Sequence, residues 1–332
     1  MAAWNDEWET ERWRAAAHEW ISGVLASYGL GPAGPYEPRG THLWSTEIGV
    51  PTDHGPLVFR ANCPGQLAEA SVASAAAALA PAQLVMPLAV DAPRGWMLSP
   101  DYGQALRPLP AADERSWTRL VRDFARVQLD LLPFGDELFD AGLLQLDPAW
   151  LPAHVEDQVA LHASLPPGHP LRLAEDDAAG LRSGMSEVRR MCGLLAAGPV
   201  PLSLDHHDLR RGAALVPTAA GEPLRFTGLR GAYWAHPFSS LGVPVREMCA
   251  ELRTTPADPR VARVVAAYLE RWGEYGTVDE LRPYVEPALR LGRLREHGTW
   301  MRILAGAADA DVARYAPRAL RPLAELTRPV LG

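Results

Sequence analysis

Lysine is absent from this sequence: all 32 of its basic side chains are arginine. With abundant alanine, glycine and proline, that choice matches a GC-rich coding bias, so arginine at any one position is first a matter of composition. No long basic run occurs and the formal net charge is −8, which argues against a dedicated nucleic-acid binder. Cysteine is scarce. Cys63, Cys192 and Cys249 stand far apart and form no C-x-x-C pair, so no disulfide framework is expected, only thiols in a reducing cytoplasm. No apolar run approaches about 18 residues, so no membrane-spanning helix is expected. The opening MAAWNDEWETERW is acidic and lacks an apolar stretch, so no signal peptide is expected. Repeats and low-complexity tracts are missing too, and proline and glycine are dispersed as loop punctuation.

What remains is ordinary globular material: 332 residues, 48% hydrophobic and 22% charged, enough to bury a sizeable core as one large or two modest domains. Apolar residues at Trp13, Ala16, Ala17, Trp20, Ile21, Val24 and Leu25 have helical spacing over Trp8–Tyr28, stopped by Gly29. A strand-like run, Tyr36–Val50, and a second strand, Leu57–Ala61, flank the turn signal Asp53-His54-Gly55. Leu67–Leu79 is an alanine-rich helix, and Leu84–Val90 and Trp96–Leu98 read as two more strands. Pro100-Asp101-Tyr102-Gly103 has hinge chemistry. Beyond it, helices are expected over Glu114–Leu132, Pro148–Leu161, Leu171–Leu195, Ser239–Leu252, Pro259–Trp272, Val278–Leu291, Leu294–Ala305 and Asp309–Leu326. The plan is α+β with two lobes. Residues 1–100 carry a leading helix, a small antiparallel sheet and one helix; residues 101–332 form a larger helical lobe.

The chemistry-bearing residues concentrate in Leu202–Leu241, LSLDHHDLRRGAALVPTAAGEPLRFTGLRGAYWAHPFSSL. This reads as a short strand, a polar loop, a hairpin and a second loop entering a helix. His206, Asp208, Arg210 and Arg211 share the first loop, and loops on a rigid scaffold are where catalytic groups are commonly mounted. A His-His-Asp zinc site is disfavoured, because adjacent histidines point apart in extended backbone and no fourth ligand is in view.

In its order of elements and motifs the chain resembles the aminoglycoside phosphotransferase family of the protein-kinase-like fold. His206, Asp208 and Leu209 match the family's His-x-Asp-Leu-x-x-x-Asn loop, whose last position is Ala213 here. Phe226-Thr227-Gly228-Leu229, with Ala232 and His236-Pro237-Phe238 after it, occupies the place of the family's Ile/Phe-x-Asp-Trp motif and the small residue and His/Asp-Pro that follow. Val58-Phe59-Arg60-Ala61 puts Arg60 at the nucleotide lysine's position. Glu69 falls where the partner glutamate belongs, and Trp96-Met97-Leu98 with Asp101-Tyr102-Gly103 is similar to the hinge. The pattern spans residues 40–310. It implies a two-lobe fold with a small antiparallel N-terminal sheet and a mostly helical C-terminal lobe. It also implies ATP- and Mg²⁺-dependent phosphoryl transfer to a hydroxyl, with Asp208 and His206 as catalytic residues. In that scheme Asp208 is the base and His206 braces the loop through a backbone hydrogen bond. Arg60, Glu69 and Arg210 are the candidate cofactor-binding residues.

The departures from the pattern bear on activity. The family holds its metals with the loop asparagine and the second-motif aspartate, and Ala213 and Gly228 offer no side-chain oxygen for Mg²⁺. Arg60 is no conservative replacement for lysine. Asp208 has two readings, a general base or a carboxylate tied to Arg210 or Arg211. Arg60 and Glu69 are expected to pair across strand and helix. Arg210, Arg211, Arg225 and Arg230 either line a cleft and hold an anion or form a solvated face. Asp205 and Glu222 are disfavoured as substitute metal ligands, and His207 is expected to fill a variable position. Trp234, His236 and Phe238 are expected to pack under the second loop, and Trp4, Trp8, Trp13 and Trp20 against the small lobe, with a partner surface as the alternative. The expected function is a kinase-like protein with impaired or absent phosphoryl transfer, a pseudokinase-type binding or regulatory protein in the cytoplasm. It would take a small-molecule or peptide ligand between the lobes and a protein partner, with no nucleic acid, no membrane and no bound metal. The alternatives are an active ATP-dependent kinase with relocated metal ligands and a biosynthetic enzyme repurposing the cleft. Substrate contacts would come from residues 135–200.

Overall fold

The computed structural model describes residues 4–101, 113–217 and 221–331; Tyr102 and Gly103 of the expected hinge lie outside the described residues. Helix α1 (Glu11–Ser27) begins where the Thr10 hydroxyl accepts from the Trp13 N–H at 3.2 Å. It ends before Gly29, whose φ of 67° suits glycine. Its stripe of Trp13, Ala17, Ile21 and Leu25 is buried in one apolar cluster with Ile48, Phe59, Trp96 and Leu98 of the first sheet.

That sheet comprises β1 (Glu37–Thr41), β2 (Ser45–Val50), β3 (Leu57–Asn62), β4 (Ala89–Asp91) and β5 (Trp96–Pro100), antiparallel in the order β1-β2-β3-β5-β4. The single run read over Tyr36–Val50 is two strands: the His42 N–H donates to the Ser45 carbonyl at 2.8 Å and turns the chain back. Leu84–Val90 is also shorter than its apolar content suggests. Only Ala89–Asp91 pairs with β5, while Leu84 bridges Phe226. Helix α2 (Glu69–Leu79) follows a 3-10 turn at Pro64–Gln66.

The remaining helices are α3 (Glu114–Leu131), α4 (Gly135–Asp140), α5 (Leu151–Ser164), α6 (Glu175–Ser183), α7 (Met185–Ala196), α8 (Gly242–Leu252), α9 (Pro259–Leu269), α10 (Val278–Leu281), α11 (Val285–Leu304) and α12 (Asp309–Ala324). The single helix expected over Leu171–Leu195 is broken into α6 and α7 at Gly184, where a Cβ would lie 2.7 Å from Thr327 Cγ2. The two helices expected over Val278–Leu291 and Leu294–Ala305 divide differently: α10 is short and α11 runs unbroken through Gly292, with Ser239 Cβ only 3.0 Å from where a side chain would start. Two strands escape the sequence reading, β6 (Leu144–Leu146) and β10 (Tyr233–Ala235). With β7 (Ser203–Asp205) they form a sheet in the order β6-β10-β7. β8 (Ala214–Leu215) and β9 (Arg225–Phe226) make the expected hairpin.

The apolar interior does not follow the sequence halves. Val72, Ala76 and Ala77 of α2 join the large helical core with Trp117, Phe124, Phe238 and Trp272. Trp300, Ile303 and Leu304 at the end of α11 join the core of α1 and the first sheet. Trp8 and Trp13 are buried and Trp4 and Trp20 pack beside them, so these tryptophans are interior packing. No helix among the described residues is long and apolar enough to cross a membrane.

Candidate active site

The loop after β7 is held from beneath. His206 is fully buried, its Nε2–H donating to the Thr227 carbonyl at 2.9 Å and its ring edge-on to Phe124. It ties the loop to the chain after β9, the backbone-bracing contact expected of it. His207 takes a φ of 68°, and its ring presses on Gly231, where a Cβ would be 2.8 Å from Cδ2. Gly231 is therefore explained by close approach. His236 and Phe238 are buried edge to face, as their motif suggests.

Asp205 precedes this loop and is fully buried. It ion-pairs with Arg295 of α11, accepts from the Ser239 hydroxyl, from the Ser240 hydroxyl at 2.8 Å and from the His207 N–H at 3.2 Å. Gln128 extends the network, its amide donating to the Leu204 carbonyl at 2.8 Å and accepting from the Tyr268 hydroxyl at 2.6 Å. A carboxylate so enclosed is a structural pin. Its partners Ser239, Ser240 and Arg295 are distant in sequence, so no local motif announces them.

Asp208 is more open, with 35% of its side chain exposed. Its Oδ1 accepts from Arg210 at Nε (2.8 Å) and Nη2 (2.7 Å). The tied-carboxylate geometry is thus present, and Arg210, read as a cofactor contact, faces Asp208 with Glu247 4.0 Å away. Arg211 is held by Glu251 and lies over Trp117. Glu222 is exposed, and its carbonyl accepts from Arg119 at 2.7 Å.

On the sheet side, Arg60 donates to Glu69 Oε1 at 3.1 Å, the expected pair across β3 and α2. It also donates through Nε to Glu47 Oε1 at 2.8 Å. Glu47 was not anticipated; the β2–β3 register sets it opposite Arg60. The two carboxylates outweigh burial and keep Arg60 firmly protonated. Glu69 is itself buried, and its Oε2 has no partner.

The positions that should hold metal are plain backbone. Ala213 is buried, its N–H donating to the Arg210 carbonyl at 2.9 Å and its carbonyl accepting from Thr227 N–H at 3.0 Å. Gly228 has a φ of 78° and open space where a side chain would project. Among the described residues no group of three or more His, Cys, Asp or Glu could hold a metal ion. These residues do not fit the Mg²⁺ that the resemblance implies. Beside Gly228 a cavity of about 10 Å³, lined by Leu84, Val85, Met97, Ser99 and Phe226, holds at most one water. A larger open groove of about 630 Å³ follows α3 instead. Asp208 is not among the residues that line it, and its Arg119 and Arg122 are engaged by the Glu222 carbonyl and Glu270.

Burial also sets a pH response. It holds the imidazoles of His206 and His207 below the usual 6.5, that of His236 at about 3 and that of His297 at about 4. The unfolded chain therefore binds more protons than the folded one below pH ~6.5, so this contribution is complete above that value and is lost as pH falls towards the folded values. Denaturant titrations between pH 6.5 and 5 are expected to show stability falling by roughly 1 kcal/mol per pH unit for each of His236 and His297. A His297→Gln variant should lose one histidine's share of the slope, and a flat profile for the parent chain would contradict the assignment.

No family model matches the sequence, and no curated protein matches it. Solved structures do. The chain is similar to an ethanolamine kinase of Plasmodium vivax, with a TM-score of 0.66, 14% identity, and 95% of this chain and 89% of that one covered. It is similar to macrolide 2′-phosphotransferase type I, with a TM-score of 0.59, 14% identity, and 92% and 97% covered. It is also similar to the GDP complex of aminoglycoside 2′-phosphotransferase-IIIa, with a TM-score of 0.58, 16% identity, and 94% and 98% covered. At these identities the likeness is one of architecture: the chain has the α+β, two-lobe, protein-kinase-like fold of aminoglycoside and macrolide phosphotransferases and of ethanolamine kinase.

Proposed function

We propose that this protein binds a small-molecule or peptide ligand in the cleft between lobe 1–100 and lobe 101–332 and transfers phosphate poorly or not at all. On this reading it is a pseudokinase-type binding or regulatory protein of the cytoplasm that engages a protein partner. The observation that carries the reading is the pairing of a clamped base with missing metal ligands. The Asp208 carboxylate is gripped by Arg210, and neither Ala213 nor Gly228 supplies an oxygen side chain. Phosphoryl transfer depends on positioned metal ions and a free base-like carboxylate, so both requirements are weakened together.

A second reading, an active kinase with relocated ligands, is favoured by the Arg60–Glu69 pair and the His206 brace, which keep the frame of an active cleft. One experiment separates them. The purified chain is incubated with ATP labelled at its terminal phosphate, Mg²⁺ or Mn²⁺, and a panel of hydroxyl-bearing aminoglycosides, macrolides and ethanolamine. No transfer above the protein-free control is expected. Transfer that disappears in Asp208→Ala would establish the second reading and end the first.

A further inference from the structure

The sheet side of the cleft carries a cation whose charge carboxylates offset only in part. Ser45 pairs with Asn62 and Glu47 with Arg60 across β2 and β3, so all four side chains share one face of the sheet. Arg230 reaches this face from the loop after β9, Nη1 donating to Ser45 Oγ at 2.9 Å and the guanidinium lying over the Trp44 ring. Among the described residues Arg230 makes no ion pair, whereas Arg60 is shared between Glu47 and Glu69, Arg210 holds Asp208 and Arg295 holds Asp205. Burial and the repulsion of Arg60 work against its charge, and Glu69 and Asp208 offset only part of this.

Unsatisfied polar groups stand beside it. Asn62 is 4% exposed, and among the described residues neither its side-chain nitrogen nor its oxygen has a partner. Its cross-strand neighbour Ser45 is the residue that Arg230 touches. Native interiors rarely leave such groups unpaired without a water or ligand to answer them. A half-buried guanidinium beside a strand pair that carries an unsatisfied amide offers the donors that oxyanions take. A divalent cation, in contrast, would have to compete with an arginine at each nearby carboxylate, since Glu47, Glu69, Asp205 and Asp208 each ion-pair with one.

We propose that Arg230 stands in place of the missing metal, so that the cleft binds the phosphates of a nucleoside polyphosphate without a divalent cation. Phosphate oxygens accept from the Arg230 guanidinium and the Asn62 amide. This rests on the reading of a cleft that binds without transferring, and it names what the cleft binds and under what condition. The nucleoside part follows the likeness to a structure that holds GDP.

The test is calorimetric titration of the full chain with ADP, GDP and pyrophosphate, each in EDTA and in Mg²⁺. Binding is expected in EDTA with no gain on adding Mg²⁺, and pyrophosphate alone separates phosphate recognition from base recognition. Arg230→Gln should weaken binding about tenfold or more, the scale of one charge-assisted phosphate contact, while Arg230→Lys, which keeps the charge but loses the planar fork, recovers only part of it. Asn62→Asp, close to isosteric, replaces the donor with a carboxylate and should weaken it as well; it carries the test if Arg230→Gln does not fold. Binding that requires Mg²⁺, binding indifferent to both Arg230→Gln and Asn62→Asp, or no binding under either condition overturns the proposal. Phosphate transfer is read separately in the turnover assay, so its appearance would end the non-transferring reading while the metal dependence still judged Arg230.

Discussion

Asp205→Ala is expected to destabilise the fold by about 3–5 kcal/mol, the usual cost of stripping one partner from a buried charge pair. Asp205 is fully buried and joins four groups: Arg295 of α11, Ser239 and Ser240 before α8, and the backbone N–H of His207. Removing the carboxylate leaves the Arg295 guanidinium, itself only 6% exposed, without a counter-charge. It also takes the acceptor from the Ser240 hydroxyl, while Ser239 keeps the His236 carbonyl at 2.7 Å, and an unsatisfied buried donor carries its full desolvation penalty. Equilibrium denaturation measures the loss, and Asp205→Asn, which preserves shape but not charge, should fall between parent and alanine variant. A loss below about 1 kcal/mol, the scale of an exposed pair, would mean that the network is not the pin its geometry describes.

Phe59→Ala is expected to cost a similar ~3–5 kcal/mol through a different mechanism. Phe59 is fully buried at the centre of β3, with ring centroids of Trp96 at 5.5 Å, Trp20 at 5.7 Å and Trp13 at 6.2 Å. Three indoles around one phenyl leave little room to collapse into the void, so the cavity term stays near its maximum. The tryptophans also provide a second readout. Near-ultraviolet circular dichroism should change in Phe59→Ala, because the three indoles lose the ring they pack on. An unchanged spectrum together with parental stability would place Phe59 outside the packing described above.

The fold class was legible because it is written in periodicity. α1, α3 and α9 follow from apolar spacing, α2 from its alanine content, and the β2–β3 hairpin from its turn signal. The errors have a common cause: a contact from far along the chain decides the local outcome. Gly184 reads as a tolerated helix glycine until Thr327 is placed against it. Gly292 reads as a helix break until it is seen that α11 needs it to pass Ser239.

The same distinction runs through the site. The His206 brace, the Arg60–Glu69 pair and an arginine beside Asp208 were all inferred from short spacings or from resemblance, and each contact is present. Glu47, Asn62 and Arg295 were not, because their roles depend on strand register and on a helix about ninety residues from Asp205. The two emptied positions, Ala213 and Gly228, could be found only by comparison with a family pattern, since an alanine and a glycine carry no signal of their own.

One feature of the packing bears on how the cleft could move. The 20-residue α11 is about 30 Å long, with Leu289, Leu291 and Leu294 in one apolar cluster and Trp300, Ile303 and Leu304 in the other. Trp300 stacks on Tyr315 and meets Trp44 edge-on, and the Gly65 turn lies so close that a Cβ there would be 2.1 Å from the Arg302 carbonyl oxygen. A free swing about one connecting strand would tear these contacts apart. The helix acts as a rigid spar bolted into both halves, which favours small sliding adjustments over wide jaw-like closure.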